Sequence, residues 1–177
     1  MKKNTKKIVT AAGIAAGTAA VASLYAYVTI KALIDTALDR EMPKVMEKAD
    51  KRISGEKSSD EFTNRMESAS ESLAVQPNET VEIIAHDGEK LVGHYFRCEK
   101  PERVIIAFHG WRSSWHRDFG MISDFWYKNN CSVLYVEQRG QNNSSGEYMG
   151  FGLTERFDCL DWLNWEIERC GSDIPVY

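Results

Sequence analysis

Three short stretches of this chain carry residues capable of chemistry: His109-Gly110-Trp111, Glu137-Gln138-Arg139-Gly140, and the serine- and glycine-rich run 144–152. Hydrolysis by a serine needs a nucleophile, a base that takes its proton, and donors that hold the oxyanion. Ser113, Ser114, Ser144 and Ser145 all stand in polar loops, and no local pattern places a base beside any of them. Glycines four apart occur only at Gly13/Gly17 and Gly146/Gly150, with Ala15 and Tyr148 at their centres, so the sequence holds no Gly-x-Ser-x-Gly turn. Gly150-Phe151-Gly152 lacks the lysine-bearing pattern of a phosphate cradle. Glu137 closes an apolar run, where a carboxylate braces a neighbouring loop or pairs with Arg139; a lone acid defines no reaction. His86, His94 and His116 have no motif around them and read as structural. Cys98, Cys131, Cys159 and Cys170 show neither CxxC spacing nor a nearby histidine pair, so they read as structural thiols, with no zinc or other metal site and no cofactor. Cys159 and Cys170 fall on one predicted helix, about 16 Å apart along its axis, too far to bond to each other.

The elements that must position these stretches follow from hydrophobic patterning. Val104-Ile105-Ile106-Ala107-Phe108 is a continuous β-branched run with a glycine at its exit, as suits a strand covered on both faces. A helix is predicted over 118–129, with Phe119, Ile122, Phe125 and Trp126 on one side, and a second buried strand over 132–136. Strand, helix, strand is a βαβ unit, whose ligands gather at the carboxyl ends of its strands. Those ends are His109-Gly110-Trp111 and Glu137-Gln138-Arg139-Gly140. Upstream, 80–85 and 91–96 flank Asp87-Gly88, a strong hairpin signal. Downstream, Phe157, Leu160, Leu163 and Ile167 recur at helical intervals over 154–169, with Thr154 as N-cap and Gly171 as stop. A further strand is expected to begin at Ile174.

The formal net charge of −4 over 177 residues, with no basic patch outside the N-terminus, excludes the composition of a nucleic-acid binder. That N-terminus carries Lys2, Lys3, Lys6 and Lys7, then an uncharged, mostly apolar run over 8–30. As a helix the run spans about 34 Å, enough for a bilayer core. Its length favours an uncleaved anchor over a signal peptide, although Ala20-Val21-Ala22 resembles a cleavage site. The lysines place the N-terminus in the cytoplasm and everything after the span outside, as a single-pass protein of the cell membrane. From 31 to about 74 the chain turns charged and polar, with a breaker at 54–59, and reads as a helical stalk or linker, or as a loosely packed helical cap support.

Taken in order, the His-Gly-Trp exit, Arg139-Gly140, Ser145-Gly146, and Gly146-Glu147-Tyr148-Met149-Gly150-Phe151-Gly152 leading into Glu155-Arg156-Phe157-Asp158 resemble the first half of an α/β-hydrolase of the membrane-associated bacterial branch. The resemblance implies an α/β fold: the N-terminal half of an α/β-hydrolase sheet preceded by a transmembrane helix. The organising strand 104–108 would lie between 132–136 and the strand starting at Ile174. Four regions result: a basic tail over 1–7, a transmembrane signal anchor over 8–30, the stalk over 31–74, and over 75–177 a partial hydrolase domain that stops before the nucleophile turn. The resemblance assigns the backbone N–H of Trp111 as the first oxyanion donor, with His109, Gly110, Glu137 and Arg139 bracing its loop. His109 stands too early in the chain for the family's catalytic histidine. Trp115, Phe119, Tyr148 and Phe151 are candidates for lining an acyl pocket. The implied partners are the lipid bilayer around 8–30 and a small acyl substrate of the full-length protein, whose ester, thioester or amide bond it would cleave. The alternative is a catalytically inactive, membrane-tethered binding module.

The lysine asymmetry sets a test of orientation. Protease added to intact cells should remove the region after Ile30; cleavage seen only after lysis would place that region in the cytoplasm.

Overall fold

The computed structural model describes residues 2–41, 44, 48, 60–171 and 173–177, the first of these up to 16 as backbone only, so the expected breaker at 54–59 lies outside the described residues. The chain divides into two compact units, Met1–Leu38 and Asp39–Tyr177. The first is one long helix, α1 (Lys2–Leu38). Within it Gly17–Leu38 is long and apolar enough to cross a membrane, about 33 Å at helical rise, and Lys31 and Asp35 inside that window pair with each other at 2.8 Å. The apolar window thus reaches beyond the predicted boundary at Ile30, because an i,i+4 ion pair leaves the helix uninterrupted.

The second unit contains α2 (Glu61–Ala74), β1 (Glu79–Ile84), β2 (Lys90–Phe96), β3 (Arg103–Phe108), α3 (Trp115–Lys128), β4 (Cys131–Glu137) and α4 (Glu155–Cys170). Its sheet is mixed, in the order β1-β2-β4-β3. β1 and β2 form the expected antiparallel hairpin: Gly88 N–H returns to Ala85 O at 2.9 Å, and Gly88 takes the positive φ of 94° that a short hairpin loop requires. β2 pairs antiparallel with β4, and β4 parallel with β3, as the βαβ reading requires. On the far side of β3, Val104 bridges Val176 in parallel and Ile106 N–H donates to Tyr177 O at 2.9 Å. β3 therefore lies between β4 and the segment 175–177.

Each face of the sheet has its own core. On one, Leu73, Ala107, Trp115, Val133 and Tyr135 pack with Phe96, Phe119 and Trp126 beneath α2 and α3. On the other, Val81, Leu91, Tyr95, Leu134 and Val136 pack around Trp162 of α4. Gly93 of β2 makes room for that indole, since a Cβ there would sit 2.8 Å from Leu134 and 3.1 Å from the Trp162 ring.

Three sequence expectations are corrected here. The stretch read as a stalk up to residue 74 includes α2, which packs on α3: Leu73 is buried in the core, and a Cβ on Gly120 would meet the Ala69 and Ser70 backbone at 2.7 Å. The second unit runs from Asp39 to Tyr177. In α3, Phe119 and Trp126 pack on the sheet, but Ile122 and Phe125 are exposed because the helix turns Gly120 and Ser123 inward. In α4 the apolar stripe faces out: Phe157, Leu160 and Ile167 are exposed, while Glu155, Asp158, Trp162 and Glu166 are buried. Thr154 occupies the N-cap position without a side-chain cap, while Gly171 ends the helix at a φ of 79°.

Glu166 is fully buried, and one oxygen accepts only the Cys170 thiol at 3.5 Å. Burial pushes its carboxyl from an ordinary 4.5 up to about 7, against the smaller opposing effects of Cys170 and Arg169. A folded-state pKa above the unfolded one stabilises the fold fully below pH 4.5, and that contribution disappears as pH rises through about 7. Glu166→Gln should therefore remove a loss of up to about 3 kcal/mol between pH 5 and pH 8. Thermal unfolding of the full chain in detergent at both pH values measures it; parallel pH profiles for the two proteins would show that Glu166 does not carry it.

Candidate functional site

The carboxyl ends of β3 and β4 are laced together by buried polar groups. His109 is almost fully buried; its Nδ1 donates to Gly110 O at 2.9 Å, and its Nε2 accepts the Gln138 N–H at 3.3 Å and lies 3.1 Å from Asn142 Nδ2. A carbonyl can only accept and an amide N–H can only donate, so the ring is the neutral Nδ1–H tautomer with both nitrogens engaged. The Gln138 side chain returns a hydrogen bond to His109 O. One turn into α3, Asp118 accepts the Gly110 N–H at 2.6 Å and the Ser113 hydroxyl at 2.5 Å. Between these anchors Trp111 is 45% exposed and Arg112 is held at a φ of 51°, in the left-handed region that non-glycine residues seldom occupy. The Arg112 guanidinium reaches back to the Asp39 carbonyl at 2.7 Å.

Glu137 is buried at the end of β4 and accepts from His94 Nε2 at 2.8 Å, Asn143 N–H at 2.6 Å and Asn143 Nδ2 at 3.0 Å. Burial alone raises its pKa, but the hydrogen bonds from His94 and Asn143 outweigh it and hold the carboxyl below its ordinary range. Arg139 turns the other way. Its guanidinium meets Asp158 of α4 at 2.6 and 2.9 Å and Asp87 of the β1–β2 hairpin at 2.6 and 3.1 Å. These bonds, Asp158 foremost, raise the arginine pKa, and Arg139 in turn holds Asp87 at about 2.

The loop after β4 is closed by hydroxyls and one carboxylate. Ser144 Oγ donates to Glu137 O at 2.5 Å and accepts the Val92 N–H at 2.9 Å; Ser145 Oγ exchanges bonds with the Lys90 N–H and carbonyl at 2.7 and 3.0 Å. Glu155 accepts from Gly150 N–H at 2.6 Å and Gly152 N–H at 2.8 Å, so its carboxylate serves the loop. Between those glycines Phe151 sits at a φ of 48°, exposed, its ring 6.4 Å from that of Trp111. Arg40 donates to the carbonyls of Asn142 and Ser144, each at 2.6 Å, and to Gly146 O at 3.3 Å. A cleft of about 240 Å³ opens at this edge, lined by Arg40, Arg112, Ser113, Gly140, Asn142 and Met149.

Of the predicted site residues, His109, Gly110, Trp111, Glu137 and Arg139 are thus brought to one edge of the sheet, with Tyr148 and Phe151 exposed on the adjoining loop. Trp115 and Phe119 are placed in the core: Trp115 stacks on His94 at 4.4 Å, and Phe119 packs against Tyr135 at 5.7 Å, which removes both from the pocket-lining candidates. The sequence reading missed Arg40, Asp87, Asp118 and Asp158. Their partners at the edge stand 5 to 106 residues away, and no motif signals them. It also missed a contact between His116 and two serines, Ser70 Oγ at 2.9 Å on Nδ1 and Ser114 Oγ at 3.1 Å on Nε2. Burial, then the charges of His94 and Arg117, lowers the His116 pKa. Hydroxyls take both of its nitrogens, which leaves none for the carboxylate that orients a catalytic histidine. His86, Asp158 and Asp161 bring ligand atoms within 4.8 Å of one another, but Arg139 already claims Asp158, and His86 claims Asp161 at 3.0 Å.

The fold and the polar edge together define an α/β fold with a mixed sheet similar to that of the α/β hydrolases. No protein-family model and no curated protein matches the chain. Among solved structures, an esterase from Pyrococcus furiosus is similar at 25% identity with a TM-score of 0.51, over 60% of this chain and 42% of its own. An α/β hydrolase from Vibrio vulnificus is similar at 20% identity with a TM-score of 0.46, over 77% of this chain and 48% of its own. The chain therefore spans less than half the length of either.

Cutting one arm of the buried Arg139 pairing should reveal its weight. The Asp158 side chain is 4% exposed and that of Asp87 39%. Asp158→Asn should cost about 3–5 kcal/mol, as for a buried pair that loses one partner. Asp87→Asn should cost about 1 kcal/mol or less, because solvent screens that arm. Urea unfolding of the full chain in detergent tests the order; equal losses would contradict it.

Proposed function

We propose that this chain is the oxyanion-loop half of a membrane-anchored serine hydrolase that cleaves ester, thioester or amide bonds. The observation that carries the reading is the exit of β3: His109 and Asp118 grip the peptide units on either side of Gly110, and Trp111 follows at the carboxyl edge of the sheet. In this reading the Trp111 N–H receives the charge that develops on the carbonyl oxygen as a serine attacks. A rigid loop suits that role, because a donor aimed in advance needs no reorganisation in the transition state. The nucleophile, acid and general base lie outside residues 1–177. The loop serines support this division, since Ser144 and Ser145 already spend their hydroxyls on the backbone of β2 and β4. The bilayer around 8–30 is the anchor, with the second unit outside the cytoplasm, and the apolar window of α1 supports it. The partner of the edge itself is a small acyl substrate.

The test is chemical. The coding sequence beyond Tyr177 should carry a Gly-x-Ser-x-Gly turn within about ten residues, then an acid and a histidine. A fluorophosphonate probe should label that serine in the longer protein and no residue of the 177-residue chain. A stop codon directly after Tyr177, or labelling within 1–177 with Ser70 beside His116 as the foremost site, would overturn the proposal.

A further inference from the structure

The loops at the carboxyl edge of the sheet present more apolar surface than a polar cleft requires. Trp111, Tyr148, Phe151 and Leu153 are all exposed, from 45% to 71%. Phe151 is held out rather than left out. Its backbone lies in the left-handed region, an arrangement unfavourable for an aromatic residue, and the Glu155 carboxylate fixes it by gripping the glycine N–H on either side. Strain that fastens an aromatic ring in water, against a second exposed ring, points to something that the rings meet.

The chain itself supplies a candidate for what that is. The apolar window of α1 ends at Leu38, and the next residue, Asp39, forms a backbone bridge to Tyr148. Adjacent Cα atoms are about 3.8 Å apart. No linker separates the end of the window from the rim. Within the second unit Arg40 and Arg112 hold the residues that follow Leu38 onto the loops, Arg40 through the carbonyls of Asn142 and Ser144 and Arg112 through the carbonyl of Asp39. If the bilayer holds α1 up to Leu38, beyond the 8–30 run, the loop bearing Tyr148 is tied to the point where the helix leaves it. The headgroup layer is where tryptophan and tyrosine, apolar bodies with a polar tip, are most at home.

We propose that Trp111, Tyr148, Phe151 and Leu153 form a rim that rests in the headgroup layer of the phospholipid bilayer holding α1. The proposal rests on the anchor reading given above and adds a second, peripheral contact to it. The tryptophans provide a clean readout, because all five lie in the second unit and none in α1. Trp115 and Trp162 are buried, and Trp111 is the one exposed on the rim.

The full chain is reconstituted into phosphatidylcholine vesicles with and without dibrominated phosphatidylcholine, and tryptophan quenching is read alongside vesicle flotation. Bromolipid should quench the wild type more than about twofold further than Trp111→Phe, as expected for an indole at headgroup depth. The paired change Phe151→Asp and Leu153→Asp should reduce quenching while flotation persists. Flotation with quenching that is the same in wild type and Trp111→Phe would overturn the rim and leave the anchor standing. Loss of flotation in the wild type would overturn the anchor reading and the rim with it.

Discussion

The second unit depends on one buried guanidinium. Arg139 leaves β4 at the carboxyl edge and is met by Asp158 from α4 and Asp87 from the β1–β2 hairpin. A buried arginine without both counter-charges would be costly to desolvate, so the fold that accommodates it must bring three separate segments to one point. That requirement fixes the rotation of α4 about its axis. With Asp158 inward, Trp162 and Glu166 follow on the same face, one and two turns later, and the apolar residues Phe157, Leu160 and Ile167 are carried outward. The orientation of α4 is thus set by charge as well as by hydrophobic burial.

A similar use of polar groups organises the edge of the sheet. His109, Glu137, Asp118 and Glu155 each accept or donate to backbone groups that would otherwise go unmatched where β3, β4 and the start of α4 give way to loops. Buried backbone groups must find partners, and at strand ends side chains are the nearest source. This accounts for why the edge is rich in titratable residues. The residues are arranged to hold a loop still. Arg112, Asn142 and Phe151, all at positive φ, lie in the loops held in this way. Local strain persists only where its surroundings over-determine it.

Ser144 and Ser145 are committed to the backbone for a related reason. Ser144 and Ser145 sit where the chain after β4 turns back along β2, and their hydroxyls replace ladder bonds that the sheet lacks there. A hydroxyl committed to two backbone groups has no proton to give a base. Ser70 and Ser114 are tied to His116 instead, at the α2–α3 contact.

Much of this architecture could be read from the sequence. The β-branched runs at 104–108 and 132–136, Asp87-Gly88 and Gly171 each report a local preference, and local preferences survive into the fold. The gathering of His109, Trp111, Glu137 and Arg139 was legible too, because a βαβ unit brings the ends of its parallel strands to one edge. What the sequence could not determine is which face of each helix turns inward. In α4 the apolar periodicity pointed to Phe157 and Leu160, but Asp158 is drawn in by an arginine 19 residues away and Trp162 by a gap over Gly93. Nor could it show that Arg40, from a charged run, closes on loops about 100 residues downstream. Periodicity records the preference of one segment for water or for apolar surface; the pairing of buried charges and the fit of a ring over a glycine exist only once distant segments have met.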